Sequence, residues 1–303
     1  MSLRNGATSG GIIQLGGTNG YTTGTSIDSA GLTLVLGSDS ALGTGTFTVN
    51  QTSTIQSSSA RVVGNATVLK GDATIAGSND ITFTNSVTAA GAVTRTLTVN
   101  NTGLTTIQGN VYLSDLSGTG RTLVINGTGN TTISGVVSDF NGAGTAGTLS
   151  HGGSGTLRLN NTNTYSGGTL MSGGITIANA DGALGTGNVS LTAASVTLTL
   201  QNGVVNNYLP DAGNFSIGFT NDTVNLNFTG ASDIVNTFTL AGVGQAVGIY
   251  GGSGSGATFI LPEFAGTGTI TVLTAVPEPG TFVLMGMGAG ALALLQRARR
   301  KRV

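Results

Sequence analysis

The segment RTLTVNNTGLTTIQG at residues 95–109 recurs as RTLVINGTGNTTISG at residues 121–135. The two copies align without a gap and are 26 residues apart. A period of this length accommodates one coil of a β-solenoid with two or three short strands. We therefore predict that successive coils stack on one another. The predicted stack places Leu97, Val99 and Ile107 on Leu123, Ile125 and Ile133, respectively.

Apolar and polar residues alternate in many other parts of the chain. Examples are LTLVL at 32–36, TFTV at 46–49, ITI at 175–177 and VTLTL at 196–200. Such period-two runs, rich in β-branched residues and bounded by Gly, Asn, Ser and Asp, indicate strands and turns. No amphipathic helix pattern precedes residue 276. The sequence thus predicts an all-β parallel β-helix or β-solenoid, with Thr and Asn facing outward and Gly at the corners.

The composition limits the kinds of site that the chain can build. Gly accounts for 52 of the 303 residues, there is no Cys, and there is one His. Residues 1–276 contain 11 acidic and six basic side chains. This excess of acid argues against nucleic-acid binding, because phosphates are held by Lys and Arg. We expect no cofactor and no metal site.

A longer similarity links residues 15–25 with residues 159–169, LGGTNGYTTGT with LNNTNTYSGGT. Downstream of both copies the segment ALGTG follows, at 41–45 and at 183–187. This pattern resembles the autotransporter-associated β-strand repeat over about residues 11–50 and 155–192. The first copy departs from it at Thr23, where the second has Gly167. The resemblance implies a right-handed parallel β-helix of the kind displayed on bacterial surfaces.

The pattern changes after about residue 201. Six of the ten Phe residues lie between residues 215 and 264. Because the last coil of a solenoid has an open apolar end, a distinct terminal cap is expected. We predict solenoid repeats over residues 1–201, a β-rich cap and stalk over 202–275, and a separate tail over 276–303.

The tail begins with Val276-Pro277-Glu278-Pro279 and ends in the basic sequence QRARRKRV at 296–303. This order resembles the PEP-CTERM sorting signal of Gram-negative bacteria that secrete extracellular polysaccharide. The resemblance implies that Pro277, Glu278 and Pro279 form the element recognised by an exosortase, a membrane protease-transpeptidase. The other interpretation is a plain C-terminal anchor.

Between the two ends of the tail lies an apolar run of 14 residues, from Phe282 through Leu284 and Leu292 to Leu295. As a helix it is about 21 Å long, short for a hydrocarbon core of about 30 Å. The basic residues that follow it would keep the C-terminus in the cytoplasm. These are Arg297, Arg299, Arg300, Lys301 and Arg302. We expect the body to be exported, tethered to the inner membrane, and then placed at the cell surface or outside the cell.

An exported body requires an N-terminal signal peptide, and the first 15 residues contain no suitable apolar stretch. The sequence also opens inside what looks like a repeat. We therefore expect that the chain is truncated at its N-terminus.

Two features of the body invite a chemical interpretation. Gly142, Gly144 and Gly147 form G-x-G-x-x-G, but no helix pattern follows them, so we interpret them as a coil corner rather than a phosphate site. His151 lies in a Gly- and Ser-rich stretch. We predict that it is a solvated loop residue.

Two pairs of residues recur at similar places in different repeats. Asp115 and Asp139, each preceded by Ser, could bring two carboxylates together for Ca²⁺ or for glycosidic chemistry, or they could be two polar turns. Tyr21 and Tyr165 could stack on sugar rings or pack a corner of the coil.

From these features we predict a non-enzymatic, structural or adhesive protein of the cell surface or biofilm matrix. The expected partners are an exosortase-type enzyme, the inner membrane and extracellular polysaccharide. The alternative is a β-helical protein that binds or degrades polysaccharide, which a cluster of acids on one face would favour. A third interpretation is a glycan carrier, based on triplets such as Asn65-Ala66-Thr67.

Overall fold

A computed structural model describes residues 1–4, 10–140 and 145–276 of the chain. Within these ranges the chain forms 32 strands and no helix. The first sixteen strands are β1 (Ser2–Leu3), β2 (Ile12–Leu15), β3 (Thr25–Ile27), β4 (Thr33–Leu36), β5 (Phe47–Val49), β6 (Ser53–Ser57), β7 (Arg61–Val63), β8 (Thr67–Leu69), β9 (Ala73–Ile75), β10 (Ile81–Phe83), β11 (Val87–Ala89), β12 (Thr94–Val99), β13 (Thr105–Ile107), β14 (Val111–Ser114), β15 (Thr122–Asn126) and β16 (Thr131–Ile133). The others are β17 (Val137–Phe140), β18 (Thr148–His151), β19 (Thr156–Leu159), β20 (Thr169–Met171), β21 (Ile175–Ala178), β22 (Val189–Leu191), β23 (Thr197–Gln201), β24 (Asn214–Ile217), β25 (Thr223–Asn227), β26 (Asp233–Val235), β27 (Thr237–Leu240), β28 (Val243–Gly244), β29 (Gly248–Gly251), β30 (Phe259–Ile260), β31 (Phe264–Gly266) and β32 (Thr269–Val272).

Most of these strands belong to three long sheets that run along the axis of a solenoid. Sheet A has the order β1-β3-β5-β8-β11-β14-β17, sheet B the order β2-β4-β6-β9-β12-β15-β18-β20-β22-β24-β27-β28, and sheet C the order β31-β25-β23-β21-β19-β16-β13-β10-β7. Every pair in them is parallel except β27 with β28. The predicted all-β parallel β-solenoid is confirmed, with about ten turns.

Rows of inward-facing side chains fill the interior and stack from coil to coil. Most of the short strands alternate buried and half-buried residues, as a strand with one face on a core must. Parallel neighbours are about 4.8 Å apart, so each buried Leu or Ile contacts its counterparts above and below. Burial of each such side chain stabilises the fold by about 1.5–3 kcal/mol. One inward row of sheet B consists of Ser53, Ala73, Leu97, Ile125, His151, Met171, Leu191, Ile217 and Leu240.

The predicted 26-residue register is confirmed on sheet C and wrong on sheet B. On sheet C, Ile107 pairs with Ile133. On sheet B, Leu97 pairs with Ile125, and Leu123 lies opposite Arg95. The shift is two residues, so the inward and outward faces are unchanged, and Leu97 and Leu123 are both buried. They belong to neighbouring rows rather than to one row.

Two corners of unequal length cause this shift. The connection from β14 to β15 spans residues 115–121, against 90–93 for the connection from β11 to β12. The longer corner is tied by Arg121, whose guanidinium lies 2.7 Å from Asp115 Oδ1 and donates to Ala92 O. After β15 the chain turns early at Gly127, which has a φ of 100°. A Cβ there would lie 2.1 Å from Val99 O, so only glycine fits this close approach.

The Phe-rich C-terminal stretch forms the last coils and a fourth sheet. β24, β25 and β27 continue sheets B and C in parallel, with the rings of Phe215 and Phe238 stacked at 5.5 Å. Sheet D, with the order β26-β32-β29-β30, follows them and includes the antiparallel pair β29–β32. The Tyr250 ring packs edge-on against Phe238 at 5.3 Å, which joins sheet D to the core. The predicted domain boundary at residue 202 stays a prediction.

Candidate functional site

The last strand of sheet D, β32, ends only a few residues before the predicted sorting segment. Beyond β32, Leu273 N donates to Val235 O at 3.0 Å and Thr274 N donates to Asn236 O at 2.7 Å. Val276 still lies on the body, because a Cβ added to Gly244 would be 2.5 Å from its Cβ. The chain therefore stays in contact with the cap as far as Val276, one residue before Pro277.

The residues predicted for sorting lie outside the described residues. They are Pro277, Glu278 and Pro279, the apolar Phe282, Leu284, Leu292 and Leu295, and the basic Arg297, Arg299, Arg300, Lys301 and Arg302. In the part of the chain that the structure does describe, no helix is long and apolar enough to cross a membrane.

Comparison with known families decides what the tail is. Residues 275–301 match the PEP-CTERM protein-sorting motif. The PEP-CTERM signal implies an exported protein that an exosortase-type enzyme processes. Its first two residues, Ala275 and Val276, belong to the folded cap region. Neither curated proteins nor solved structures yield a match to this chain.

The repeated tyrosine is a structural part of a coil corner. Tyr165 is fully buried, and its hydroxyl shares a 2.5 Å hydrogen bond with Thr169 Oγ1. Thr169 Oγ1 in turn donates to Leu184 O at 2.8 Å. Asn163 Nδ2 donates to Ala183 O at 2.6 Å. The corner thus joins the tyrosine segment of one coil to the ALGTG segment of the next.

The first copy of the repeat builds the same corner. Tyr21 Oη donates to Ala41 O at 3.0 Å and accepts from Thr25 Oγ1 at 3.1 Å, and Asn19 Nδ2 donates to Ala41 O at 2.7 Å. Tyr21 is half-buried. Of the two interpretations of these tyrosines, the structure supports the packed corner.

The difference between the two copies has a steric reason. At Gly167 an added Cβ would lie 2.5 Å from Gly147 O of the preceding coil. Thr23, the equivalent residue of the first copy, is exposed. Glycine is therefore required at residue 167 by the neighbouring backbone, whereas a side chain fits at residue 23.

The prediction for His151 was wrong. It lies on β18 rather than in a loop, it is 3% exposed, and its row neighbours are Ile125 and Met171. Its Nδ1 is 2.9 Å from Thr176 Oγ1. Burial lowers the pKa of His151 to about 4, so the imidazole is neutral near pH 7. The Gly- and Ser-rich flanks hid the alternation of Leu149 and His151, which was the only signal of a strand.

The two aspartates do not meet. Tyr112 pairs with Ser138, so Asp139 lies two positions before Asp115 along the sheet rather than opposite it. Asp115 pairs with Arg121, while Asp139 Oδ1 accepts from Gly147 N at 2.7 Å and from Ser166 N at 2.9 Å. The described residues contain no group of three or more His, Cys, Asp or Glu that could hold a metal ion.

Most aspartates bind backbone amides of their own or a neighbouring coil. Asp181, for example, accepts from the amides of Val204, Val205 and Asn207 at 2.6–3.0 Å. Burial raises the pKa of Asp233 to about 8, although its carboxyl accepts from the amides of Tyr208 and Leu209. Aspartates with such contacts are Asp39, Asp72, Asp80, Asp139, Asp181, Asp222 and Asp233.

Two further sequence interpretations concern a glycine motif and a glycan site. Gly142 and Gly144 lie outside the described residues, and Gly147 is followed directly by strand β18 rather than by a helix. Asn65, the acceptor of the quoted triplet, is 4% exposed, and its Nδ2 donates to Gly43 O and Gly45 O. A buried, doubly bonded amide is not accessible for glycosylation, so this example of the glycan-carrier interpretation was wrong.

One polar cluster on sheet C was not predicted. Asn179 Oδ1 accepts from Arg158 Nη1 at 3.2 Å, from Gln201 Nε2 at 3.0 Å and from Asn202 Nδ2 at 2.8 Å. Asn179 Nδ2 donates to Asn160 Oδ1 at 3.0 Å. We call Arg158, Asn160, Asn179, Gln201 and Asn202 the amide cluster. Its sequence signal is an amide side chain at or just beyond the end of β19, β21 and β23.

Proposed function

We propose that the chain is a non-enzymatic structural or adhesive protein of a Gram-negative cell surface or biofilm matrix. Its PEP-CTERM signal implies export and exosortase processing. In this proposal the apolar run and the basic end of the tail tether it to the inner membrane with the solenoid outside. The long, repetitive solenoid then serves as the display surface.

The main support for the proposal is that the aspartates bind backbone amides and are not paired as in a polysaccharide hydrolase. A polysaccharide hydrolase needs two carboxylates held at a defined separation across the bond to be cleaved. Here Asp115 and Asp139 have separate partners, and seven aspartates hold backbone amides. Carboxylates engaged in this way maintain the coil corners. This supports a role in which the shape and surface of the solenoid are the functional property.

The outward side chains suit an extended contact surface. One outward column of sheet B consists of Thr33, Thr54, Thr74 and Thr98, which pair in register from coil to coil. Their hydroxyls repeat at the strand spacing of about 4.8 Å. Repeated neutral donors and acceptors favour multivalent contacts that are weak singly and strong in combination.

The test is complementation of surface attachment in an exosortase-bearing host that lacks the chain. The full chain, given a signal peptide, should restore attachment and biofilm cohesion. The variants Asp115→Asn and Asp139→Asn should restore them as well. An enzyme that uses these acids would lose activity in both variants, so loss of complementation by stably folded variants would contradict the proposal.

The amide cluster supports a second candidate function, binding of extracellular polysaccharide. Planar amide and guanidinium groups supply the paired donors and acceptors that sugar hydroxyls require. Asn179→Ala removes the group that joins the other four members. If polysaccharide binds there, Asn179→Ala should weaken retention on an immobilised matrix polysaccharide about fivefold, the effect of about 1 kcal/mol. Asn225→Ala, on the same sheet, with one contact to Thr199, is the matched control.

A further inference from the structure

The outer face of sheet D carries exposed aliphatic side chains among neutral threonines, Thr269 and Thr271. Tyr250 points into the core, so its neighbour Ile249 points outward and is 40% exposed. Leu273 follows the buried Val272 and is 53% exposed, and Ile260 on the adjoining strand is 51% exposed. We call Ile249, Ile260 and Leu273 the cap face.

Hardly any charge surrounds the cap face. Glu263 is the only charged residue between residues 234 and 276, and it is buried. Asp233, at the start of β26, is buried as well. Scattered apolar residues are normal on a protein surface, but here no exposed charged residue of 233–276 lies beside them. An uncharged surface with exposed aliphatic side chains can enter a bilayer interface without transferring an ion out of water.

The cap face lies next to the point where the chain enters its apolar run. Val276 is held against Gly244, and the run begins at Phe282. The intervening five residues span at most about 17 Å when fully extended. The headgroup region on one side of a bilayer is about 6 Å thick. When the tail is inserted, this length minus the headgroup layer holds the end of the cap within about 11 Å of the lipid headgroups.

We propose that the cap face is a lipid-contact surface, which rests on the interface of a phospholipid bilayer while the tail is inserted. This inference depends on the membrane tether under Proposed function. The contact orients the solenoid with its C-terminal end on the membrane. It also keeps Val276, the last residue before Pro277, close to the membrane that contains the processing enzyme.

The chain has no cysteine, so single labelling sites can be placed freely. The full chain is reconstituted with vesicles of phosphatidylethanolamine and phosphatidylglycerol. An environment-sensitive fluorophore is attached to Ile260→Cys or Leu273→Cys on the cap face, to Leu284→Cys in the tail, or to Val62→Cys on β7. β7 and β31 lie at opposite ends of sheet C, eight strand spacings or about 38 Å apart. Brominated lipids report contact with the acyl region.

We expect the labels at Ile260→Cys and Leu273→Cys to shift to the blue and to be quenched by brominated lipid, less deeply than Leu284→Cys. The label at Val62→Cys should stay in water. The double variant Ile249→Ser, Ile260→Ser should lower the partition coefficient of the full chain about tenfold. Val62→Ser should leave it unchanged. Because the cap face carries no charge, phosphatidylcholine vesicles should give the same cap signal.

Three results would overturn the inference while leaving the tether intact. Aqueous cap labels beside an inserted Leu284→Cys label would show that the face does not touch lipid. Cap labels already shielded before vesicles are added would show that the tail or a second copy covers the face. Quenching at Val62→Cys would show that the solenoid lies on its side. Failure of Leu284→Cys to insert would refute the tether, and the lipid contact with it.

Discussion

His151 Nδ1 lies 2.9 Å from Thr176 Oγ1 in the interior of the solenoid, and this hydrogen bond joins sheet B to sheet C. Both residues are buried, and the imidazole occupies a row otherwise made of Ile, Leu and Met in this region. The row tolerates the polar ring because it is neutral and because Thr176 satisfies one of its nitrogens.

Acid should destabilise the fold through His151. Its pKa falls from 6.5 to about 4 on burial, so the unfolded chain binds a proton that the folded chain does not. The free energy of unfolding is therefore unaffected by this group above pH 6.5. It falls by about 3 kcal/mol as the pH is lowered from 6.5 to 4, because protonation of His151 favours the unfolded chain. Urea unfolding of wild type and His151→Met at several pH values measures it. The stability difference between the two should move in favour of the variant as the pH falls.

Thr176→Val is the control for this prediction. It removes the hydrogen-bond partner but leaves the buried imidazole, so it should unfold more easily at neutral pH and still lose stability in acid. A pH-independent difference between wild type and His151→Met would show that His151 is not the group that titrates.

Gly127 should be far less tolerant of a side chain than Gly118. Both have positive φ, 100° and 81°, so alanine is strained at both. At Gly127 the added Cβ also meets Val99 O at 2.1 Å, whereas nothing lies within 4 Å at Gly118. We expect Gly118→Ala to cost about 1 kcal/mol and Gly127→Ala about 3 kcal/mol or more in the free energy of unfolding. Equal losses from the two substitutions would contradict the tight corner.

The turn at Gly127 shows which part of the fold could be predicted from the sequence and which could not. Alternation of apolar residues identified the strands and the inward face, since burial selects side chains with a period of two. It did not predict that Leu97 pairs with Ile125, because a two-residue shift preserves the alternation. That shift depends on the 115–121 corner and on the φ of Gly127, and loops leave no periodic signal. The PEP-CTERM tail could be recognised from the sequence because a short linear motif does not depend on the tertiary structure around it.

The buried tyrosine corner should contribute more to stability than its first copy. The Tyr165 hydroxyl is fully buried beside Thr169, so Tyr165→Phe leaves a gap and breaks a short hydrogen bond. We expect a loss of about 1–2 kcal/mol in the free energy of unfolding. Tyr21 is half-buried and water can replace its contacts, so Tyr21→Phe should cost under about 1 kcal/mol. Chemical denaturation of both variants makes the comparison, and a larger loss for Tyr21→Phe would refute the ranking.

Replacing Pro277, Glu278 and Pro279 together by Ala separates a recognised sorting signal from a plain anchor. The apolar run and the basic end are unchanged, so partitioning into the bilayer should hardly alter. Recognition should be lost, because prolines restrict φ and favour the extended backbone that a protease binds, and Glu278 supplies the one negative charge there. In an exosortase-bearing host the triple variant should accumulate as a membrane-bound precursor that retains its Arg-rich tail. Intact-mass measurement of membrane and released fractions detects this.

Ser253→Ala, Thr258→Ala and Pro262→Ala, at exposed cap positions, form the matched triple control and should be processed normally. If the tail variant and wild type show the same mass and the same membrane fraction, processing does not depend on these residues, and the tail acts as a simple anchor.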